Sequence, residues 1–213
     1  MKPYYEDDRV QIYCGDMRDI APELDRVQTI LTDPPYGISY VHGAGGGSAA
    51  ASTRFAGVSI YGDDDEFDPG GLLHFENIIM WGANHYANRL PNSGGWLVWD
   101  KRGGMASNDQ SDCELAWTNV MKTARLKTQI WNGMITPGEQ RGKRRLHPTQ
   151  KPVELMQWCL SFVEDPGVIL DPFMGSGTTL LAAKLEGRRA IGIEKNREYC
   201  DIAVERLRQR VLF

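Results

Sequence analysis

Residues 168–194 read VILDPFMGSGTTLLAAKLEGRRAIGIE. Val168 to Leu170 is a short apolar strand that runs into Asp171, and Gly175-Ser176-Gly177 then turns the chain tightly. A helix is expected from about Thr178 to Glu186, stopped by Gly187. Ala190 to Ile193 forms the next strand and ends at Glu194. Downstream, Asn196 caps a helix in which Tyr199, Ala203, Leu207 and Val211 recur every four residues. Upstream, Pro152 opens a helix carrying Val153, Met156, Leu160 and Val163, which Asp165-Pro166-Gly167 stops. Strand, Gly loop, helix, strand and helix in that order make a βαβα unit, hence a parallel sheet covered by helices.

The Gly loop lets a ligand approach the backbone closely, and the helix behind it offers free N–H groups near Thr178. Two familiar uses fail on spacing. Gly175-x-Gly177 is followed by Thr178-Thr179-Leu180, so the dinucleotide fingerprint is missing, and the chain has no G-x-x-x-x-G-K-[ST]. What remains is a loop between two acids. Glu194, nineteen positions after Gly175, is placed to accept hydrogen bonds from ribose hydroxyls. Asp171, at the tip of the first strand, suits a cation better than a phosphate. A positively charged nucleoside without phosphates answers to both, and S-adenosylmethionine is one.

Toward the N-terminus, Val10 to Tyr13 is a strand closed by Gly15-Asp16, and Val27 to Thr32 is a strand closed by Asp33-Pro34-Pro35. Ile78–Trp81, Gly95–Trp99, Glu114–Trp117 and Thr128–Trp131 supply four more aromatic and β-branched strands. Asp63-Asp64-Asp65-Glu66 with Asp68 reads as an exposed acidic turn without chemistry, leading to a helix near 70–77. Residues 41–52, VHGAGGGSAAAS, read as a mobile Gly-rich loop that either lies plainly on the surface or orders over a substrate. Residues 101–147 read as a short, basic loop region. With no internal repeat and no linker, residues 1–213 are taken as a single α/β domain, a mostly parallel sheet flanked by helices.

The 213 residues can bury a substantial core without crosslinks. Four singly spaced cysteines, Cys14, Cys113, Cys159 and Cys200, give neither a disulfide framework nor a zinc site, and they are expected to be buried thiols. No apolar run reaches membrane-spanning length, and the acidic N-terminus lacks a secretory signal, so an intracellular, cytoplasmic protein is expected. The net charge of −4 hides an asymmetry. Residues 1–100 carry 6 Lys/Arg against 15 Asp/Glu, whereas 101–213 carry 18 against 13. Lys122, Arg125, Lys127, Arg141, Lys143, Arg144, Arg145 and Lys151 crowd together, with only Glu139 opposing them between 122 and 151. This is either a solvated face or a surface that tracks phosphates.

Asp33-Pro34-Pro35-Tyr36 is turn chemistry in any protein, but here it ends a strand at the carboxyl edge of an α/β sheet, where ligands bind. It places an acceptor carboxylate, a rigid Pro34 carbonyl and an aromatic face side by side. That trio matches an amino group on a flat ring. The two acceptors take the N–H hydrogens and hold the nitrogen lone pair out of conjugation, while Tyr36 stacks on the ring.

Together with His-Pro-Thr-Gln-Lys-Pro at 147–152 and Asp-Pro-Phe-Met-Gly-Ser-Gly-Thr-Thr at 171–179, this motif resembles the DNA amino-methyltransferases, which methylate adenine N6 or cytosine N4. The resemblance covers roughly 8–40 and 145–210. It implies a three-layer, Rossmann-like methyltransferase fold, circularly permuted so that the catalytic motif precedes the cofactor loop, as in the beta group. It implies that Asp33, Pro34, Pro35 and Tyr36 are catalytic. Around S-adenosylmethionine it places Asp171, Phe173, Gly175, Ser176, Gly177 and Thr178 along the loop, Glu194 at the ribose and Asp16 at the adenine, with Thr149 and Lys151 bordering the cofactor. His147 reads as a satisfied surface histidine rather than a base. The implied substrate is duplex DNA with the target base flipped out, engaged by the basic 122–151 segment; no metal and no membrane are implied, and a homodimer is left open. Adenine is favoured over cytosine because Asp rather than Ser opens the Pro-Pro-Tyr motif, a family tendency. Carbon-5 methylation is set aside because none of the four cysteines follows a Pro. The rivals are a methyltransferase for RNA or for a protein side-chain amide, and a catalytically silent DNA-binding module. Little chain is left for target recognition, so relaxed or partner-assisted recognition is expected, within a restriction-modification, regulatory or phage setting.

Overall fold

The computed structural model describes residues 1–37, 63–105, 111–131 and 150–209. Nine strands form one sheet: β1 (Tyr5–Glu6), β2 (Val10–Cys14), β3 (Val27–Thr32), β4 (Asn77–Trp81), β5 (Trp96–Asp100), β6 (Cys113–Thr118), β7 (Arg125–Thr128), β8 (Val168–Asp171) and β9 (Arg189–Glu194). Their spatial order is β1-β2-β9-β8-β3-β4-β6-β5-β7. Only β1 and β6 run against their neighbours; every other pairing is parallel. The carboxyl ends of β2, β9, β8, β3 and β4 therefore share one edge of the sheet. Because β6 is antiparallel, its first residues return to that same edge, with Glu114 opposite Trp99 near the end of β5.

The central strands are buried on both faces, which is why they read as continuous apolar runs. Along β4, Ile79 and Trp81 point into one core and Ile78 and Met80 into the other. The first core is roofed by α2 (Val153–Leu160), α3 (Thr178–Leu185) and α4 (Arg197–Arg208), whose Leu155, Met156, Leu180, Ala183, Ala203 and Leu207 pack against Val10, Leu31, Ile79 and Trp99. The second is covered by the four-residue α1 (Met17–Ile20), by single 3-10 turns and by Phe67, Leu73 and Phe75. The mostly parallel sheet flanked by helices is the expected architecture.

Several local expectations change. The helix near 70–77 is only a 3-10 turn, Gly70–Leu72, because Asn77 already belongs to β4 and two successive glycines do not sustain a helix. The strand placed at 128–131 lies earlier, at Arg125–Thr128, where its backbone pairs with Leu97–Asp100 of β5. The helix begun at Pro152 ends at Leu160, with Val163 packed beyond it. Cys159 and Cys200 are buried, but Cys14 is exposed at the end of β2 and Cys113 is half-buried. No described helix is long and apolar enough to cross a membrane. The Gly-rich loop 41–52 and Val211 lie outside the described residues.

Candidate active site

Asp171 closes β8 and Glu194 closes β9, so the two acids stand at the tips of adjacent strands with the Gly loop between them. Asp171 Oδ1 accepts from Thr32 Oγ1 of β3 at 2.7 Å and from the Phe173 N–H at 3.1 Å. Glu194 Oε2 accepts from the Gly175 N–H at 3.0 Å, and its Oε1 accepts from Asn196 N–H at 2.7 Å. Burial raises both carboxyls, Asp171 to about 6, despite the hydroxyls and N–H groups that lower it. A cation set between two acids so destabilised in their charged form is favoured, whereas a phosphate is repelled. Gly175 and Gly177 both have positive φ, and Gly177 caps α3 without a side-chain hydrogen bond. These residues fit a cationic nucleoside.

The loop is held from behind. Arg206 of α4, buried, donates to the Ser176 carbonyl at 2.5 Å, to Ser176 Oγ at 2.9 Å and to Thr178 Oγ1 at 3.3 Å. The hydroxyls of Ser176 and Thr178, expected at the cofactor, are thus turned into the protein as anchors. A Cβ on Gly177 would come within 2.9 Å of Ala203 Cβ, so that glycine also lets α4 pack against the loop. Asp16 caps α1 through the Arg18 N–H and pairs with Arg18 at 2.6 Å and Lys195 at 2.7 Å; the Arg18 guanidinium holds its carboxyl well below the usual range. Phe173 meets Phe67 edge to face at 5.6 Å.

Asp33 leaves the end of β3, next to β8. Its Oδ1 accepts from the Tyr36 hydroxyl at 2.5 Å, and its Oδ2 accepts from Lys151 Nζ at 2.5 Å. Lys151 Nζ also lies 3.0 Å from Glu114 Oε2 and 3.4 Å from the Tyr36 oxygen. Glu114 Oε1 takes a hydrogen bond from Lys101 Nζ at 2.9 Å. Four charges alternate in a chain, Lys101, Glu114, Lys151, Asp33, and sum to zero. Burial pushes Asp33 up, with Glu114 adding to the rise and the Lys151 ammonium opposing both. Burial would likewise raise Glu114, but Lys151 and Lys101 hold it at about 2. Burial works against the Lys151 ammonium, and the two carboxylates outweigh it, so that pKa is raised. The Tyr36 hydroxyl is raised strongly by burial and by Asp33.

Tyr36 stacks on His85, centroids 4.8 Å apart and planes 11° apart, so in this state one face of its ring is taken. Gly82, in the left-handed region, makes room for that ring: a Cβ there would lie 1.8 Å from the tyrosine. Beside the pair opens a cavity of about 270 Å³ walled by Phe67, Tyr86, Asn88 and the Arg89–Glu66 ion pair.

Lys151 requires a correction. The exposed basic face does not include it: its side chain is 7% exposed and clasped by two carboxylates. The cause is local, since Pro152 and Val153, which start α2, are themselves buried and carry residue 151 into the sheet edge. Asp63 departs from the exposed acidic turn in the same way: it is buried and accepts the Gly37 N–H at 2.7 Å, closing the chain after Tyr36. Lys122 and Arg125 are exposed on and near the marginal strand β7, with Lys127 over the Trp158 ring at 5.8 Å. Thr149, Arg141, Lys143, Arg144, Arg145 and His147 lie outside the described residues. Glu114, Lys101, His85 and Arg206 were not singled out from the sequence. Only Glu114 carried a signal there, as an acid opening an apolar strand.

Comparison with known proteins agrees with this geometry. Residues 74–205 match the N6/N4 DNA methylase family model, described as DNA methylase. The type II methyltransferase M.ScaI of Streptomyces caespitosus is 28% identical over 97% of this chain and 84% of its own. Among solved structures, the PvuII DNA methyltransferase, described as cytosine-N4-specific, superposes with a TM-score of 0.63 at 13% identity, covering all of this chain and 91% of that one. The M1.HpyAVI–SAM complex superposes with a TM-score of 0.54 at 24% identity, over 93% of this chain and 99% of its own. The sheet, its permuted order of motifs and the matched 132 positions lead to one assignment: the chain belongs to the N6/N4 DNA methylase family, the DNA amino-methyltransferases.

Proposed function

We propose that the chain transfers a methyl group from S-adenosylmethionine to the exocyclic N6 of an adenine flipped out of duplex DNA. The observation that carries this reading is the adjacency of the two acids: Asp33 and Asp171 end neighbouring strands, and Thr32, beside Asp33, bonds to Asp171 at 2.7 Å. An acceptor for an amine therefore stands next to an acceptor for a cation. S-adenosylmethionine supplies an electrophilic methyl group on a sulfonium. Asp171, Phe173, Gly175 and Gly177 hold its methionine side and Glu194 its ribose, with Asp16 toward the adenine.

The target base must leave the helix, because its amine is otherwise paired and stacked. The cavity beside Tyr36 receives it. Asp33 and the Pro34 carbonyl accept the amine hydrogens and aim the nitrogen lone pair at the methyl group. Pro35 fixes the turn, and Tyr36 stacks on the base with the ring face that His85 does not cover. The Asp33 carboxylate then faces the positive charge that develops on nitrogen. Catalysis is positioning and charge stabilisation. Lys122, Arg125 and Lys127 at the β7 margin lie roughly 19 Å from β3, four strand spacings away, and meet phosphates on one side of the target. Arg141, Lys143, Arg144 and Arg145 extend that basic stretch in sequence. Adenine is assigned because Asp opens the Pro-Pro-Tyr motif.

Labelled methyl transfer offered in parallel to duplex DNA, RNA and protein tests this reading. Transfer to DNA is expected. Clear transfer to RNA or protein with none to DNA would overturn it.

A further inference from the structure

Both oxygens of Asp33 are already engaged by the protein's own donors, the Tyr36 hydroxyl on Oδ1 and the Lys151 ammonium on Oδ2, each at 2.5 Å. An arriving amine must share or displace one of them. The Tyr36 hydroxyl has Asp33 as its acceptor, whereas the Lys151 ammonium touches a second carboxylate, Glu114 at 3.0 Å. Lys151 is also the same kind of donor as the amine, a nitrogen presenting hydrogens to Oδ2 and lying 3.4 Å from the Tyr36 oxygen.

We infer that Lys151 is a placeholder for the substrate amine and that Glu114 is its second seat, so that Lys151 withdraws onto Glu114 when the amine takes Asp33 Oδ2. This rests on the reading of Asp33 as the amine acceptor. Glu114 is then a positioning residue, which holds Lys151 and also raises the Asp33 carboxyl by its own nearby charge. Its placement follows from the fold: β6 runs antiparallel to β4 and β5, which brings its first residues back to the carboxyl edge where Asp33 ends β3. Lys101, after β5, supplies a second cation that keeps Glu114 ionised and ready to take Lys151. The exchange costs little charge separation, because Lys151 stays beside a carboxylate at both ends of the movement. Without Glu114, leaving Asp33 would strand a buried ammonium, which is far more costly.

A double-mutant cycle of Glu114→Gln and Lys151→Met tests this, with kcat and KM for duplex DNA, the Kd for S-adenosylmethionine and thermal unfolding measured for each protein. In the presence of Lys151, Glu114→Gln is expected to lower kcat/KM for DNA at least tenfold, with the cofactor Kd changed less than twofold and with Glu114→Asp restoring most of the loss. In the Lys151→Met background Glu114 has no cation at Asp33 to receive and holds only Lys101, which does not reach Asp33, and the same substitution is expected to change kcat/KM less than twofold. The acid limb of the pH profile supplies a separate readout. Asp33 is faced by Lys151, Tyr36, Glu114, Tyr86 and Asp171, and Glu114 raises its carboxyl, so Glu114→Gln should move that limb to lower pH. Equal losses in both backgrounds, or activity within twofold of the parent for Glu114→Gln, would overturn the inference. If Glu114→Gln does not fold, comparing Lys151→Met with the double variant decides, since a further tenfold loss there would also overturn it. An inactive wild type on DNA, or an active Asp33→Ala, would instead refute the function on which the inference rests.

Discussion

The two ends of the active site are built in opposite ways. Around the Gly loop, each acid is held by groups close in sequence or by small hydroxyls: Asp171 by the Phe173 N–H and Thr32, Glu194 by the Gly175 and Asn196 N–H groups. Around Asp33 the Tyr36 hydroxyl is local, but the charged partners are distant in sequence, with Lys151 lying 118 residues away and Glu114 joined to it through that lysine. Neutral donors leave Asp171 and Glu194 with raised carboxyls that await a cation. Lysines instead neutralise the Asp33 end before any ligand arrives. One end is thus poised for charge, and the other is arranged to receive a neutral amine.

If the two ends are separable, Asp33→Ala should reduce methyl transfer by about 10³-fold or more while the Kd for S-adenosylmethionine stays within about twofold. Single-turnover transfer and calorimetric cofactor titration check this pair of values; a parallel collapse of cofactor affinity would break the division. A smaller effect is expected at the other end. Asp171→Asn should weaken cofactor binding by about tenfold, a loss of one charge-assisted contact. It should also raise the melting temperature of the cofactor-free protein at pH 8. Asp171 is raised from 3.8 to about 6 in the folded state, so the stability linked to its protonation is present below about pH 4 and lost as pH rises through about 6. The asparagine keeps the neutral form at every pH. For the same reason, cofactor affinity of the unsubstituted protein should fall as pH drops through about 6, and Asp171→Asn should flatten that dependence. Affinity independent of pH between 5 and 8 would count against Asp171 as the cation's partner.

An effect on stability sharpens the cofactor end alone. Gly177→Ala places a Cβ at positive φ and within 2.9 Å of Ala203 Cβ, a cost of about 2 kcal/mol, or roughly 6 °C in melting temperature for a chain of this size. Differential scanning calorimetry reads it directly. An unchanged melting temperature would mean that α4 does not pin the loop as closely as described.

This contrast also explains what could be read from the sequence. The βαβα unit, the tight turn at Gly175-Ser176-Gly177 and the two strand-end acids all follow from contiguous residues, and all appear where expected. Asn196 caps α4 as its spacing indicated. The charged chain behind Asp33 had no such signature, because it depends on which strands become neighbours. Lys151 looked like one of eight clustered basic residues until the buried start of α2 and the antiparallel return of β6 placed it between two acids. Asp63 was likewise hidden in a run of acids that composition assigns to solvent, although it is buried and accepts the Gly37 N–H. His85 and Arg206 act through packing against Tyr36 and against the Gly loop, and neither spacing nor residue type distinguishes such contacts beforehand.

The central claim is that a methyl group reaches an exocyclic amine presented by Asp33. Digesting duplex DNA after incubation with the protein and S-adenosylmethionine, and identifying the modified nucleoside by mass spectrometry, tests it most directly. The account predicts N6-methyladenine, absent when Asp33→Ala replaces the unsubstituted protein. N4-methylcytosine would contradict the choice of base, and 5-methylcytosine or wholly unmodified DNA would contradict the mechanism itself.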